Sequence, residues 1–365
     1  MLREELAAWL RLLLTPGVGS ETARKLLAAW GLPQDIFDQD VTAWQTVVGP
    51  HLARALDTPP ADLDATLDRL QAWLAEHTQR HVLTLGDTLY PPDLLEMADP
   101  PLMLYVQGDV QALHHPRRLA IVGSRNPTPQ GEAHARQFAQ ALGEAGLCVV
   151  SGLALGIDGA AHEGALLAGA PTVAVIGTGL DRVYPKRHLD LAHRIAEHGA
   201  IVSEYPLGTP PLAANFPQRN RIIAGLSQGT LVVEAALKSG SLITARLAAE
   251  QGREVFAIPG SIHSPQARGC HALIRQGAKL VESAQDILED LQIAPPQTPS
   301  QTVEASSDNG DPLLNAMGYD PVSLDALQAR TGLDTPHLQA RLLELELQGD
   351  LSRLPGGLLQ RMGKA

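Results

Sequence analysis

Three glycine-bearing stretches, an acid–histidine pair and a run of arginines are the parts of this sequence that could do chemistry. The stretches are Gly123-Ser124-Arg125, Ser151-Gly152 through Asp158-Gly159, and Gly177-Thr-Gly179-Leu-Asp181-Arg182 with Tyr184-Pro-Lys186-Arg187 beyond it. Glycines after a strand let backbone N–H groups approach a phosphate, and a following helix N-terminus favours an anion. They serve a tight strand-to-helix turn equally well, so alone they signal weakly. A dinucleotide site needs G-x-G-x-x-G directly after a strand and an acid about 20 residues on. Here Asp181-Arg182 follow Gly179 where the third glycine should be close, and the G-x-x-x-x-G-K-[ST] phosphate loop is absent. No nucleotide cofactor is expected.

Catalytic apparatus is equally thin. The 13 histidines are scattered without an H-E-x-x-H, no G-x-S-x-G elbow occurs, and Cys148 and Cys270 cannot build a zinc site or a disulfide framework. Asp158 and His162 fall at i,i+4 on a helix, where a capping acid and a surface histidine account for them. Glu234 closes a strand and could act as acid or base; a buried carboxylate bonded to the backbone of 239–241 is the favoured reading. No catalytic residue and no metal are expected.

The charge distribution says more. The chain carries 28 Lys+Arg against 40 Asp+Glu, a net −12, yet residues 116–225 hold ten bases against eight acids. Phe216 stands just before Arg219-Asn220-Arg221, and an aromatic beside cations in a loop can form a stacking platform for nucleobases. Alternatively, Phe216 packs beneath its own loop while the arginines pair with Glu204 and Asp181. Both readings stand on these residues.

The elements that must position these groups follow from hydrophobic pattern. Between 116 and 292, short apolar runs (119–123, 147–151, 172–177, 200–203, 230–234, 254–259) alternate with helical stretches (130–145, 158–168, 188–198, 240–251). This predicts an α/β fold, a Rossmann-like doubly wound parallel sheet, with the post-strand loops at one edge. Residues 81–115 read as an extended lead-in rich in Pro-Pro pairs. Residues 1–80 read as a helical domain whose Thr15-Pro-Gly-Val-Gly-Ser20 turn suits a helix-hairpin-helix, for phosphate contact or for helix packing alone. Acids there outnumber bases 11 to 7, which favours architecture. Residues 293–310 read as a Pro/Ser/Gln/Thr tether, and 311–365 as three helices and a hairpin, the parts of a winged helix. With seven acids to five bases, that unit suits protein contact or regulation better than a duplex.

Composition excludes polycationic, collagen-like and wholly disordered classes: 44% of residues are hydrophobic, 19% charged and only 4% aromatic. Acidic residues near the first Met, few cysteines and no apolar run of about 20 residues lead to the expectation of a cytoplasmic protein.

Read together, these residues resemble the DprA/Smf family (DNA-processing protein A). The resemblance rests on ordered motifs over about 90–292: Val122-Gly-Ser-Arg125, Ser151-Gly-Leu-Ala-Leu-Gly-Ile-Asp158, Gly177-Thr-Gly-Leu-Asp181, Ser203-Glu-Tyr-Pro206, Asn215-Phe-Pro-Gln-Arg-Asn-Arg221, Ser239-Gly-Ser-Leu-Ile-Thr-Ala245 and Val255-Phe-Ala-Ile-Pro-Gly260, after Tyr90-Pro-Pro and Asp99-Pro-Pro. It implies a non-enzymatic homodimer of natural transformation that binds and protects single-stranded DNA and loads RecA recombinase. Arg125, Lys186, Phe216, Arg219, Asn220 and Arg221 would form the single-strand pocket, and Gly123, Ser124, Ser151 and Gly152 would give close backbone approach. Two positions depart from the pattern: Ala213 stands where some members have a lysine, and His271 stands where the family has an asparagine. A second reading from another class is a phosphoribohydrolase-like enzyme acting on nucleotides, but its Pro-Gly-Gly-x-Gly-Thr loop is replaced here by Leu226-Ser-Gln-Gly-Thr230.

Overall fold

The computed structural model describes residues 2–293, 311–354 and 356–362. The expected tether, apart from Ile293, lies outside the described residues.

Five helices open the chain: α1 (Arg3–Leu14), α2 (Ser20–Trp30), α3 (Pro33–Phe37), α4 (Val41–Asp57) and α5 (Leu63–Glu76). The α1–α2 turn is the expected one, with Gly17 at φ +82°, a conformation that excludes most side chains. Its nearby cations are taken, Lys25 by Glu21 and Arg24 by Asp99. Leu6, Trp9 and Leu10 of α1 and Leu70 and Trp73 of α5 bury one face of each helix. That core is continuous with Tyr105, Leu191, Ile195 and Leu207 of the following domain.

The lead-in supplies β1 (Arg80–Thr84), the short helix α6 (Pro92–Leu95) and β2 (Met103–Gly108). The doubly wound part follows as β3 (Arg118–Val122), α7 (Pro129–Glu144), β4 (Cys148–Ser151), α8 (Ile157–Leu167), β5 (Thr172–Val175), α9 (Leu189–His198), β6 (Ala200–Ser203), α10 (Asn215–Gly225), β7 (Gly229–Val232), α11 (Ser241–Glu250), β8 (Glu254–Ala257), α12 (Arg268–Arg275), β9 (Lys279–Leu280) and α13 (Ala284–Asp290). One nine-stranded sheet runs in the order β1-β2-β6-β5-β4-β3-β7-β8-β9. The seven strands from β6 to β9 in that order are parallel; β2 joins β6 antiparallel, and β1 joins β2 antiparallel. The lead-in therefore extends the same sheet. Strands β3 to β7 are buried along their whole length, as continuous apolar runs in a sheet covered on both faces require.

One expectation is corrected here. The segment bearing Phe216, Arg219, Asn220 and Arg221 was expected as a loop and is the helix α10. Its buried face, Asn215, Arg219, Ile222 and Ile223, holds helical spacing with polar residues at the first two positions.

Beyond the undescribed segment, α14 (Pro312–Met317), α15 (Leu324–Thr331), α16 (Thr335–Leu347), β10 (Leu351–Leu354) and β11 (Leu358–Arg361) form the winged helix, with a separate leucine core. The Gln360 side-chain amide donates to Gln130 Oε1 on α7 at 2.7 Å. Among the described residues, no helix is long and apolar enough to cross a membrane.

Candidate nucleic-acid interface

From β3 the chain steps outward through β4, β5 and β6, then returns to lay β7 on the other side of β3. Open parallel sheets hold ligands where the loops after such a pair diverge. Val122 and Val232 are register partners at this split. A cavity of about 700 Å³ lies there, walled by the loops after β3 and β7, the start of α8 and one face of α10.

The first wall is 123–126. The Ser124 N–H donates to the Glu234 carbonyl at 2.7 Å, tying the two loops before they part. Gly123 is small for a packing reason: a Cβ there would stand 2.7 Å from Ile157 Cγ1. Ser124 is buried and its Oγ accepts from the Asn126 N–H at 3.1 Å, turning the chain so that Arg125 projects exposed. The Arg125 guanidinium sits 5.3 Å from the centroid of the half-buried Phe216 ring, a cation–π arrangement. Tyr184, 48% exposed, packs beside that ring at 5.8 Å.

The second wall is 236–241. Lys238 is exposed, and Asn220 Nδ2 donates to the Gly240 carbonyl at 3.3 Å, linking α10 to this loop. Ser239 and Ser241 share a hydrogen bond of 2.7 Å at the start of α11.

The floor holds two buried ionisable side chains, Arg219 and Asp158. Arg219, 4% exposed, donates through Nη1 to the Gly152 carbonyl at 2.6 Å and to the Val175 carbonyl, bridging the ends of β4 and β5. Burial brings its guanidinium down to about 10 even though Asp158 opposes the shift. Asp158 accepts from the Ala154 N–H at 3.3 Å, and burial pushes its carboxyl upward against the pull of Arg219.

Of the residues singled out in the sequence, Gly123, Ser124, Arg125, Phe216, Arg219 and Asn220 line the cavity. Ser151 lies beneath it, its hydroxyl donating to the Ile121 carbonyl at 2.6 Å. Gly152 is in the same layer, and a Cβ there would collide with the Arg219 guanidinium. Lys186 stands outside the lining, exposed at the head of a short 3-10 turn (Lys186–His188). Arg221 points to the opposite side of α10, where Glu204 and the Asp99 carbonyl hold it. Asp181 pairs with Arg182, not with either α10 arginine. Lys238 was missed as a cation of the site; its signal was Lys-Ser-Gly-Ser after the strand ending at β7.

The candidate catalytic groups are bonded into the fold. Glu234 accepts from the Thr128 N–H at 2.9 Å and the Thr128 hydroxyl at 2.6 Å, not from the 239–241 backbone, and burial raises its carboxyl. His162 is fully buried rather than at the surface, with Nδ1 2.7 Å from Thr172 Oγ1. Among the described residues no group of three or more His, Cys, Asp or Glu could hold a metal. Among the described residues, Asp158 is the one carboxylate on the cavity lining, against Arg125, Arg219 and Lys238. Among the described residues, Arg125, Lys186, Arg187 and Lys238 have no salt-bridge partner.

A family model of DNA recombination-mediator protein A matches residues 81–292, and one of the DprA winged helix domain matches 294–357. The chain belongs to the DprA family. Protein Smf of Escherichia coli is 42% identical over 96% of this chain and 95% of its own length. The DNA processing protein DprA of Streptococcus pneumoniae is 50% identical over 56% of this chain and 72% of its own. The X-ray structure of the pneumococcal DprA aligns with TM-score 0.67 at 39% identity, covering 80% of this chain and 98% of that one. A DprA structure from Helicobacter pylori, described for its single-stranded DNA binding mode, aligns with TM-score 0.53 at 33% identity over 58% of this chain and 96% of that one.

The two departures from the DprA pattern now have surroundings. Ala213 is exposed on the cavity lining, so a lysine there in other members would add a cation to this rim. His271 Nε2 lies 2.9 Å from the Gly260 carbonyl, so its ring secures the loop after β8.

Proposed function

We propose that the cavity at the β3–β7 split binds single-stranded DNA without sequence preference, and that the chain passes the strand to RecA recombinase. The observation that carries this reading is the Phe216 ring beneath Arg125, rimmed by unpaired cations. Stacking on an aromatic face tolerates any base, and Arg and Lys follow the backbone. A duplex keeps its bases stacked and paired, so it offers no free base face to this ring. The kinship with the H. pylori protein supports the same conclusion. The bonded state of Glu234, Asp158, Ser151 and His162 supports a binding protein rather than the nucleotide-cleaving alternative. We place its work in the cytoplasm, as a homodimer joined through the hollow that the exposed Leu237 and Leu280 share at the short edge strand β9.

Fluorescence anisotropy with an oligo(dT) strand and a matched duplex tests this. Single strand is expected to bind more tightly, with log K falling against log[salt] at a slope of roughly −2 to −3.5 for about three to five phosphates. Phe216→Ala is expected to cost about 1–3 kcal/mol of binding. Arg125→Ala should reduce the slope by about 0.7. Equal affinity for both DNAs overturns the reading. Light scattering on the same samples reads two chains per complex. RecA added to the complex should form filaments sooner than on strand coated by a single-strand-binding protein.

A further inference from the structure

The Asp99-Pro100-Pro101 motif plays no part in the cavity, yet it touches the back of the helix that forms it. Arg221 on α10 donates through Nη1 to the Asp99 carbonyl at 2.8 Å and brings Nε within 3.6 Å of the Asp99 carboxylate. The other carboxylate oxygen of Asp99 is bonded by Arg24 of α2. Asp99 is held rigidly: two prolines follow it, and the buried Tyr90 hydroxyl donates to the Pro101 carbonyl at 2.7 Å. A second tie runs from α5, where Arg69 Nη1 donates to the Leu207 carbonyl at 3.3 Å, on the segment that leads into α10. The N-terminal helices therefore grip α10 from behind and from its entry. The front of the same helix carries Phe216, Arg219 and Asn220.

We infer that Asp99 and Arg24 are positioning residues for the single-strand site, transmitting the placement of the N-terminal helices to α10 without touching DNA. This rests on the proposed binding at that cavity. The inference makes a prediction opposite in sign to plain electrostatics. Removing the Asp99 carboxylate makes the chain less acidic, which by charge alone strengthens phosphate binding. Positioning requires that Asp99→Asn weaken it.

The test measures oligo(dT) affinity by anisotropy for full-length Asp99→Asn, Arg24→Ala, Arg24→Lys and Phe216→Ala, with circular dichroism to verify folding. Asp99→Asn and Arg24→Ala are expected to raise Kd about 2- to 30-fold, the range of coupling through a packed network. The salt slope should stay unchanged, because no phosphate contact is lost, and Arg24→Lys should recover most of the affinity. Arg24 is partly exposed on a helix flank, so its variants keep the inference testable should Asp99→Asn fold poorly. Folded Asp99→Asn and Arg24→Ala with wild-type or tighter affinity overturn the inference while leaving the site standing. Unaltered affinity in Phe216→Ala overturns the site instead.

Discussion

Arg125 and Arg219 lie on one cavity and are sorted to different tasks by burial alone. Arg125 is exposed, rests on an aromatic ring and has no carboxylate partner among the described residues, so its charge is available to a phosphate. Arg219 is buried and spends two donors on the Gly152 and Val175 carbonyls, so it fixes the cavity floor. His162 shows the same sorting for a neutral ring. The Thr172 hydroxyl donates to the Val149 carbonyl at 2.8 Å, so His162 must donate from Nδ1 to Thr172, leaving a buried Nε2 with no partner among the described residues. A proton on Nε2 would be a charge in a dry interior, and burial brings the imidazole down to about 3. Between pH 6.5 and about 3 the unfolded chain binds this proton and the native chain does not. Stability present above pH 6.5 is therefore lost as pH falls through that window. In urea titrations, His162→Gln should show a flatter loss of stability across this range than the parent. Parallel curves would refute the assignment.

At the scale of elements, the sheet was legible and α10 was not. Strands β3 to β7 announced themselves as apolar runs because both faces are covered, and the helices between them kept an apolar stripe. In α10 the inward positions Asn215, Arg219, Ile222 and Ile223 follow i, i+4, i+7, i+8, but two are polar and Pro217 sits in the first turn. The period was present; the polarity hid it. The same cause misplaced the arginines, since a loop reading gives Arg219 and Arg221 to solvent, whereas a helix sends one into the sheet edge and the other toward Asp99. The lead-in, expected as extended structure, supplies β1 and β2 with a short helix between them, and the antiparallel pairing of β2 to β6 depends on partners 92 to 98 residues away that no local pattern marks. Gly152 belongs to this scale because it leaves room for Arg219 to cross between β4 and β5. Gly152→Ala should displace that guanidinium and strand buried carbonyls at about 1–3 kcal/mol each. The midpoint of urea unfolding should drop accordingly, and an unchanged midpoint would show that Arg219 does not depend on this gap.

For the whole molecule, the net charge of −12 is an average over parts with different tasks. The cavity lining carries three cations to one carboxylate, while the winged helix is acidic and its Arg341 is taken by Asp311 and Glu344. A helix with its arginine so engaged is poorly suited to a duplex groove. A chain ending at 293 should keep the single-strand affinity and salt slope of the full chain. A lost or shallower slope would assign DNA contacts to the winged helix. The position of the cavity has one more consequence, which concerns synthesis. Its walls come from 122–126, 216–220 and 236–244, and the last of them seats against strands that pair only once β7 and β8 exist. A nascent chain that has exposed Arg125 and Phe216 has the parts of a grip but nothing to hold them together. If the cavity is the proposed single-strand site, it is complete only near the end of translation of the sheet, and fragments released earlier are expected to lack it.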